Sequence, residues 1–257
     1  GTGMTGKAAA LFAALRGNDT VQVGMTSELN FASGLLDLMG VCPSDPTRVY
    51  DDPWQAIDAL VTEHPAHPYG RLQPAEMRAA FTSLLQFLEQ SGLPYFCSPR
   101  RNLRLITPIG TVKTTYAIPR SCFHGIKALA DKAGCLIVDF KGLKGFSAVQ
   151  ISQSLSASWP QLEPYRIEFP GARPGDLYPE QMALILEAPE NLTLLAEAIR
   201  PRLNHASYVA LPAVLGLYRP AMVFNELQKQ LEKPLFEIPT MPPAIGGMRL
   251  RHVFEQN

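Results

Sequence analysis

The residues best suited by type and spacing to bind a ligand open the chain, in GTGMTGKAAALFAALRG, residues 1–17. Two phosphate-binding patterns overlap there. Gly1, Gly6 and Lys7 make G-x-x-x-x-G-K, but a P-loop needs Ser or Thr next, to hold Mg²⁺, and this chain has Ala8. No convincing acidic Walker B strand follows, so nucleotide hydrolysis is disfavoured. Gly1, Gly3 and Gly6 make G-x-G-x-x-G, whose glycines serve a tight turn, close approach of backbone to a pyrophosphate, and close helix–strand packing. The Ala/Leu-rich run that follows favours a helix, with Gly17 as its stop. Its leading N–H groups would face an anion. DTVQV (19–23) alternates and predicts a strand. Loop, helix and strand make the second half of a βαβ unit, so this reading expects native residues upstream of Gly1; no Met stands at position 1. The strand ends Val23-Gly24-Met25, without the acid that holds a ribose in many such folds; the first acid is Glu28. On the motif alone, a glycine-rich turn before an ordinary helix competes with a dinucleotide loop.

Other groups could also carry chemistry. Thr107, Gly110, Thr111, Lys113 and Thr114 surround one turn, where hydroxyls, a glycine and a cation could bind a phosphate. A Thr-rich hairpin explains them equally simply. Arg249, after Gly246-Gly247, could reach an anion or cap a helix end. Asp139, Lys141 and Lys144 follow a strand, where α/β folds place ligands, or form a solvated loop. His64 and His67 flank Pro65 with no carboxylate or Cys beside them, so they read as turn histidines and no metal site is predicted. His124 and His205 carry no motif. Without a Ser-His-Asp spacing or H-E-x-x-H, the catalytic residues stay unknown.

The bulk of the chain narrows the classes. Its 257 residues, 46% apolar, can bury one large core or two modest ones. Lys+Arg and Asp+Glu both number 23, so there is no footprint for nucleic acid, and Arg100-Arg101 reads as a solvated face. No apolar run is long enough for a transmembrane helix, and no signal peptide is visible. Cys42, Cys97, Cys122 and Cys135 are widely spaced, with no C-x-x-C, and read as reduced thiols.

These residues need positioning elements. WQAIDALVTEH (54–64) and PAEMRAAFTSLLQFLEQSG (74–92) have helical spacing, and 101–119 reads as a β-hairpin around Pro-Ile-Gly. CLIVDF (135–140) reads as a buried strand, 147–159 as a helix and YRIEF (165–169) as a strand. A helix broken near Pro189 spans 179–203, a strand 207–216, and a helix 221–233. The end reads as strand, Pro/Gly loop and the start of another helix. Strands alternate with helices, so the class is α/β.

Six segments, in this order, resemble one family: GTGMTG (1–6), NFASGLLDLMG (30–40), HPAHPYGRL (64–72), ITPIGTVKTTY (106–116), DFKGLKGFSA (139–148) and IPTMPPAIGGMRL (238–250). The family is the B subunit of anaerobic glycerol-3-phosphate dehydrogenase, and the resemblance covers nearly the whole chain. It implies a Rossmann-like FAD/NAD(P)-binding fold, incomplete here, with a large inserted α/β domain. Residues 1–45 would be the N-terminal part of the flavin domain, 46–238 the insert, and 239–257 the return segment. The cofactor would be a flavin, FAD or FMN. Gly1, Thr2, Gly3, Met4, Thr5 and Gly6 would hold its phosphate, with Ser33 and Gly34 beside it. The family's members continue beyond the point matching Asn257, so residues are expected downstream too. The implied reaction takes sn-glycerol 3-phosphate to dihydroxyacetone phosphate. Electrons would pass to quinone through two partners, the A subunit, which carries flavin, and the C subunit, which is iron–sulfur. The protein would sit in the cytoplasm, peripheral on the inner face of the membrane. A scaffold subunit that keeps the fold but only docks partners is the alternative. A nicotinamide-dependent dehydrogenase is a third reading, without the ribose acid or the family likeness.

Overall fold

A computed structural model of the protein describes residues 1–25, 28–43, 45, 47–171, 175 and 177–256. The elements in order are α1 (Met4–Ala14), α2 (Pro53–Glu63), α3 (Pro74–Gln90), β1 (Tyr95–Cys97), β2 (Leu103–Ile106), β3 (Val112–Thr115), β4 (Ala117–Pro119) and α4 (Phe123–Asp131). Then come β5 (Cys135–Phe140), α5 (Ala148–Leu155), β6 (Leu162–Ile167), α6 (Pro179–Ile185), α7 (Pro189–Ile199), β7 (Tyr208–Pro212), α8 (Pro220–Leu231), β8 (Leu235–Ile238) and α9 (Ile245–Gln256). The mixed α/β class is as expected.

Local chemistry sets the helix ends. The Asp52 carboxylate accepts from the N–H groups of Trp54 and Gln55, and Pro53 pre-sets the first helical φ of α2. Glu76 reaches back to the Gln73 N–H at the start of α3. The predicted helix 179–203 divides at Ala188, which is extended (ψ 122°) ahead of Pro189. A proline in that place restricts its predecessor to extended backbone.

Four strands form a parallel sheet in the order β6-β5-β7-β8. β5 is buried at all of its positions: the apolar run Cys135 to Val138 and Phe140 suit a central parallel strand, and the one charge, Asp139, is paired with Arg166. The predicted strand 165–169 starts earlier, at Leu162, and takes in Pro164, which an edge strand tolerates. The antiparallel pairs β1–β4 and β2–β3 lie upstream, the second closed by the Thr107–Thr111 turn.

Residues 19–23 are not the predicted strand. Val21 is 89% and Val23 77% exposed, and no ladder pairs them. Alternation supplies a face, but a strand also needs a neighbour to take its N–H and C=O groups, and this segment has none among the described residues. Consistently, α1 buries no residue fully; only Met4, Leu11 and Phe12 reach the core in part.

Two cores result. The larger surrounds the parallel sheet and includes Trp159, whose Nε1 donates to the Ala133 carbonyl at 2.8 Å. The smaller gathers Leu29 and Leu36, then Trp54, Ile57 and Leu88, and finally Leu250 and Val253 of α9. It therefore draws on segments from the start, the middle and the end of the chain. The four cysteines are free thiols, and burial pushes that of Cys122 up to about 12.

Ile137 is fully buried in β5. Ile137→Ala is expected to lower stability by about 2–5 kcal/mol, seen as a lower urea midpoint with an unchanged slope.

Candidate functional site

The glycine loop forms one side of the site. Gly3 is the N-cap of α1, extended (ψ 178°) and without a side-chain capping bond. The first N–H groups of a helix have no partner within it, so Met4, Thr5 and Gly6 present donors at the positive end of the helix dipole. Gln22 Nε2 donates to the Gly1 carbonyl at 2.9 Å, and the Thr2 side chain packs on Gly24. The unpaired segment thus returns to the loop without being a strand.

Glu28 completes that return. Its Oε2 lies 2.7 Å from where a Cβ on Gly3 would stand. In dinucleotide folds an acid in this relation to the glycine loop receives the ribose hydroxyls. The motif alone does not mark Glu28, because it follows Val23 by five positions; the usable signal is that it is the first acid after the alternating run.

The next wall is a backbone seam. Gly34 has φ +83°, and a Cβ there would stand 2.8 Å from the Gly246 Cα. A Cβ on Gly246 would meet the Ser33 carbonyl, and one on Gly247 the carbonyls of Leu29 and Ala32. Only glycine allows the first turn of α9 to lie this close to residues 29–34. The Ala244 N–H donates to the Asn30 carbonyl at 2.9 Å, and the Tyr95 hydroxyl to the Gly34 carbonyl at 2.6 Å. Burial pushes the Tyr95 phenol far up, which keeps it a donor. The predicted residues thus fall into two sets of contacts, Gly3 with Glu28 and Ser33-Gly34 with Gly246, which the chain from Glu28 to Gly34 joins and beside which Gly247 meets Leu29 and Ala32.

This arrangement suits a flavin dinucleotide. It offers an uncapped helix start for a pyrophosphate and a carboxylate for hydroxyls. Beside the seam, Asn30 Oδ1 is buried without a partner, as are four other side-chain oxygens elsewhere among the described residues. An unpaired buried polar atom costs about 1–3 kcal/mol, so such atoms mark places where a ligand group is welcome.

The predicted phosphate group does not assemble. The hydroxyls of Thr107 and Thr111 bond to each other at 2.8 Å, closing their own turn. Gly110 packs on α5, where a Cβ would stand 2.6 Å from the Ser154 Cβ. Lys113 pairs with Asp37 at 2.8 Å on the surface, and Thr114 packs on Gly40.

Arg249 is 2% exposed and neither caps a helix nor faces solvent. Its Nη1 and Nη2 donate to both oxygens of Glu237 at 2.7 and 2.9 Å, its Nε to the Gly216 carbonyl and its Nη2 to that of Leu215. Burial opposes the charge, but the attraction and hydrogen bonds of Glu237 outweigh it and hold the guanidinium above its ordinary range. A sequence shows no such pairing between partners twelve positions apart.

The remaining candidates serve the fold. Asp139 accepts from the N–H groups of Phe140 and Ala148 and pairs with Arg166, while Lys141 pairs with Glu168. His67 Nδ1 accepts from the Tyr69 N–H, and His64 ends α2. Among the described residues no three His, Cys, Asp or Glu side chains gather to hold a metal.

Comparison with known proteins agrees with this geometry. The sequence profile of a family described as FAD binding domain matches residues 1–256. A protein of Vibrio vulnificus named as the B subunit of anaerobic glycerol-3-phosphate dehydrogenase is 28% identical, over 100% of this chain and 60% of its own length. Proteins of the same name from Pectobacterium carotovorum and Vibrio cholerae are 28% and 25% identical, over 89% and 100% of this chain and 55% and 61% of theirs. The chain thus spans about three-fifths of the relatives it matches along its whole length. No solved structure matches.

Arg249→Met would leave Glu237 buried and unpaired, so it is expected to cost about 3–5 kcal/mol. The double variant Arg249→Met/Glu237→Leu should recover roughly half of that loss or more, because the uncompensated charge is gone. Urea unfolding of the set measures both.

Proposed function

The chain belongs to the FAD binding domain family, and on that premise we propose that it is the FAD-holding part of an oxidoreductase subunit that oxidises sn-glycerol 3-phosphate. The family's cofactor is FAD, which decides between the two flavins considered from the sequence. In this reading residues 1–45 and 239–257 belong to the flavin domain and 46–238 to the insert. Met4, Thr5 and Gly6 would meet the pyrophosphate through their N–H groups, and Glu28 the adenosine ribose. Ser33 and Gly34, seated on Gly246 and Gly247, would line the cofactor's path. When bound, a flavin would supply a two-electron acceptor for the oxidation of the secondary alcohol of glycerol 3-phosphate to the ketone of dihydroxyacetone phosphate.

The chain's own residues bind and orient. Of the predicted phosphate group, Lys113 is assigned to the substrate. Its ion pair with Asp37 is exposed, and such pairs are worth about 0–1 kcal/mol, so exchanging Asp37 for a phosphate costs little. The threonines and Gly110 shape the turn, and Arg249 holds α9.

The observation that carries the proposal is the pairing of the Gly3 helix start with Glu28, followed within six residues by the seam of Gly34 against Gly246. The name of the relatives supports the rest: a subunit implies an assembly, here proposed as the A and C subunits delivering electrons to quinone. Among the described residues no helix is long and apolar enough to cross a membrane, so attachment to the inner face is proposed to run through a partner. The docking scaffold is favoured by one feature, the shallow burial of α1 beside an unpaired 19–23 segment.

Natively purified protein is expected to show flavin absorption that bleaches on adding glycerol 3-phosphate, and acid extraction should release FAD. Gly3→Val should weaken FAD binding by about tenfold or more, since the new side chain would displace Glu28. Folded protein without flavin would sink the oxidoreductase reading and leave the docking scaffold.

A further inference from the structure

A second concave site lies away from the glycine loop, between the β2–β3 hairpin and α4. It is a groove of about 610 Å³, within the range of small-molecule pockets. Four cations line it: Arg101 before β2, Arg104 on β2, Lys127 on α4 and Lys132 at its C-cap. No carboxylate lines it. Among the described residues none of the four has an ion-pair partner. On a chain with equal numbers of cations and anions, the groove has collected only one sign. Like charges along a low-dielectric cleft reinforce one another's field and attract an anion.

The groove is not only charged. Phe96 and Phe123 form one wall, their rings edge to face with centroids 4.6 Å apart, and Phe123 is 39% exposed. Lys132 adds a backbone signal: its φ is +52°, in the left-handed region where a helix end ordinarily takes glycine. The Lys132 ammonium rests 5.4 Å from the Trp159 ring centroid, a contact that leaves its charge without a counter-ion.

We propose that this groove binds a small organic anion with a flat apolar body, of the class of a nucleoside diphosphate. The cations would take the phosphates and the Phe123 face the base. Arg side chains suit phosphate oxygens because they can donate two parallel bonds. The sequence hid the site because its cations come from two separate stretches, 101–104 and 127–132, and the adjacent Arg100-Arg101 read as a solvated face.

The test is calorimetric titration of the purified protein with ADP and, separately, with inorganic pyrophosphate. Variants are Arg104→Glu/Lys127→Glu, whose side chains are exposed and leave the core intact, Phe123→Ala, and Gly3→Val as a control for the glycine loop. The expected result is ADP binding that weakens about tenfold or more in the charge-reversed protein and several-fold in Phe123→Ala, and that persists in Gly3→Val. Pyrophosphate should bind more weakly than ADP. ADP binding unchanged by the charge reversal, or lost in Gly3→Val, would overturn the proposal, as would no ADP binding at all. Pyrophosphate binding as tight as ADP would overturn the aromatic half, leaving an ionic patch. Circular dichroism of each variant verifies the fold.

Discussion

The buried pairing of Arg249 with Glu237 is the constraint on which the rest depends. Glu237 stands in β8, at the edge of the parallel sheet, and Arg249 in α9. The guanidinium also takes the carbonyls of Leu215 and Gly216, which follow β7, while Glu237 accepts the Leu215 N–H. One ion pair therefore ties the last helix to two strand ends at once. Buried ions are stable only when such bonds replace their lost water. With α9 fixed by its middle, its first turn is held where Gly246 and Gly247 can meet residues 29–34. The larger core fixes the helix, and the helix fixes the smaller core and the glycine-lined seam.

The regular elements were legible because each carries its own local chemistry. CLIVDF could only be a strand buried on both faces, and Pro-led runs with apolar spacing could only be helices. The uncapped start of α1 was legible for the same reason: its glycines and N–H groups are local to it. DTVQV shows where that logic fails. A strand is a relation between two segments, and the alternating pattern of one of them says nothing of a partner.

The site residues divide along the same line. Gly3 and Gly34 could be proposed from sequence because glycine in a turn announces itself. The neighbours of Glu28 and Arg249 were not legible, because they come from where the chain brings each residue. Glu28 is an ordinary acid until the backbone returns to Gly3, and Arg249 is an anion-seeking cation until Glu237 is found beside it. The four groove cations are the extreme case, neutral in the sum of the chain and concentrated in space.

One detail of the sheet has a meaning beyond its own stability. Along β6, Gln161 and Ile167 give their carbonyls to the neighbouring strand, so the odd-numbered residues face β5 and Pro164 faces outward. The open side of the sheet thus lacks a donor near the middle of its ladder. A passing unfolded chain that tried to add itself as a fifth strand would meet an interrupted row. The proline that the edge merely tolerates is, for the cell, a guard against templated stacking of one copy upon another.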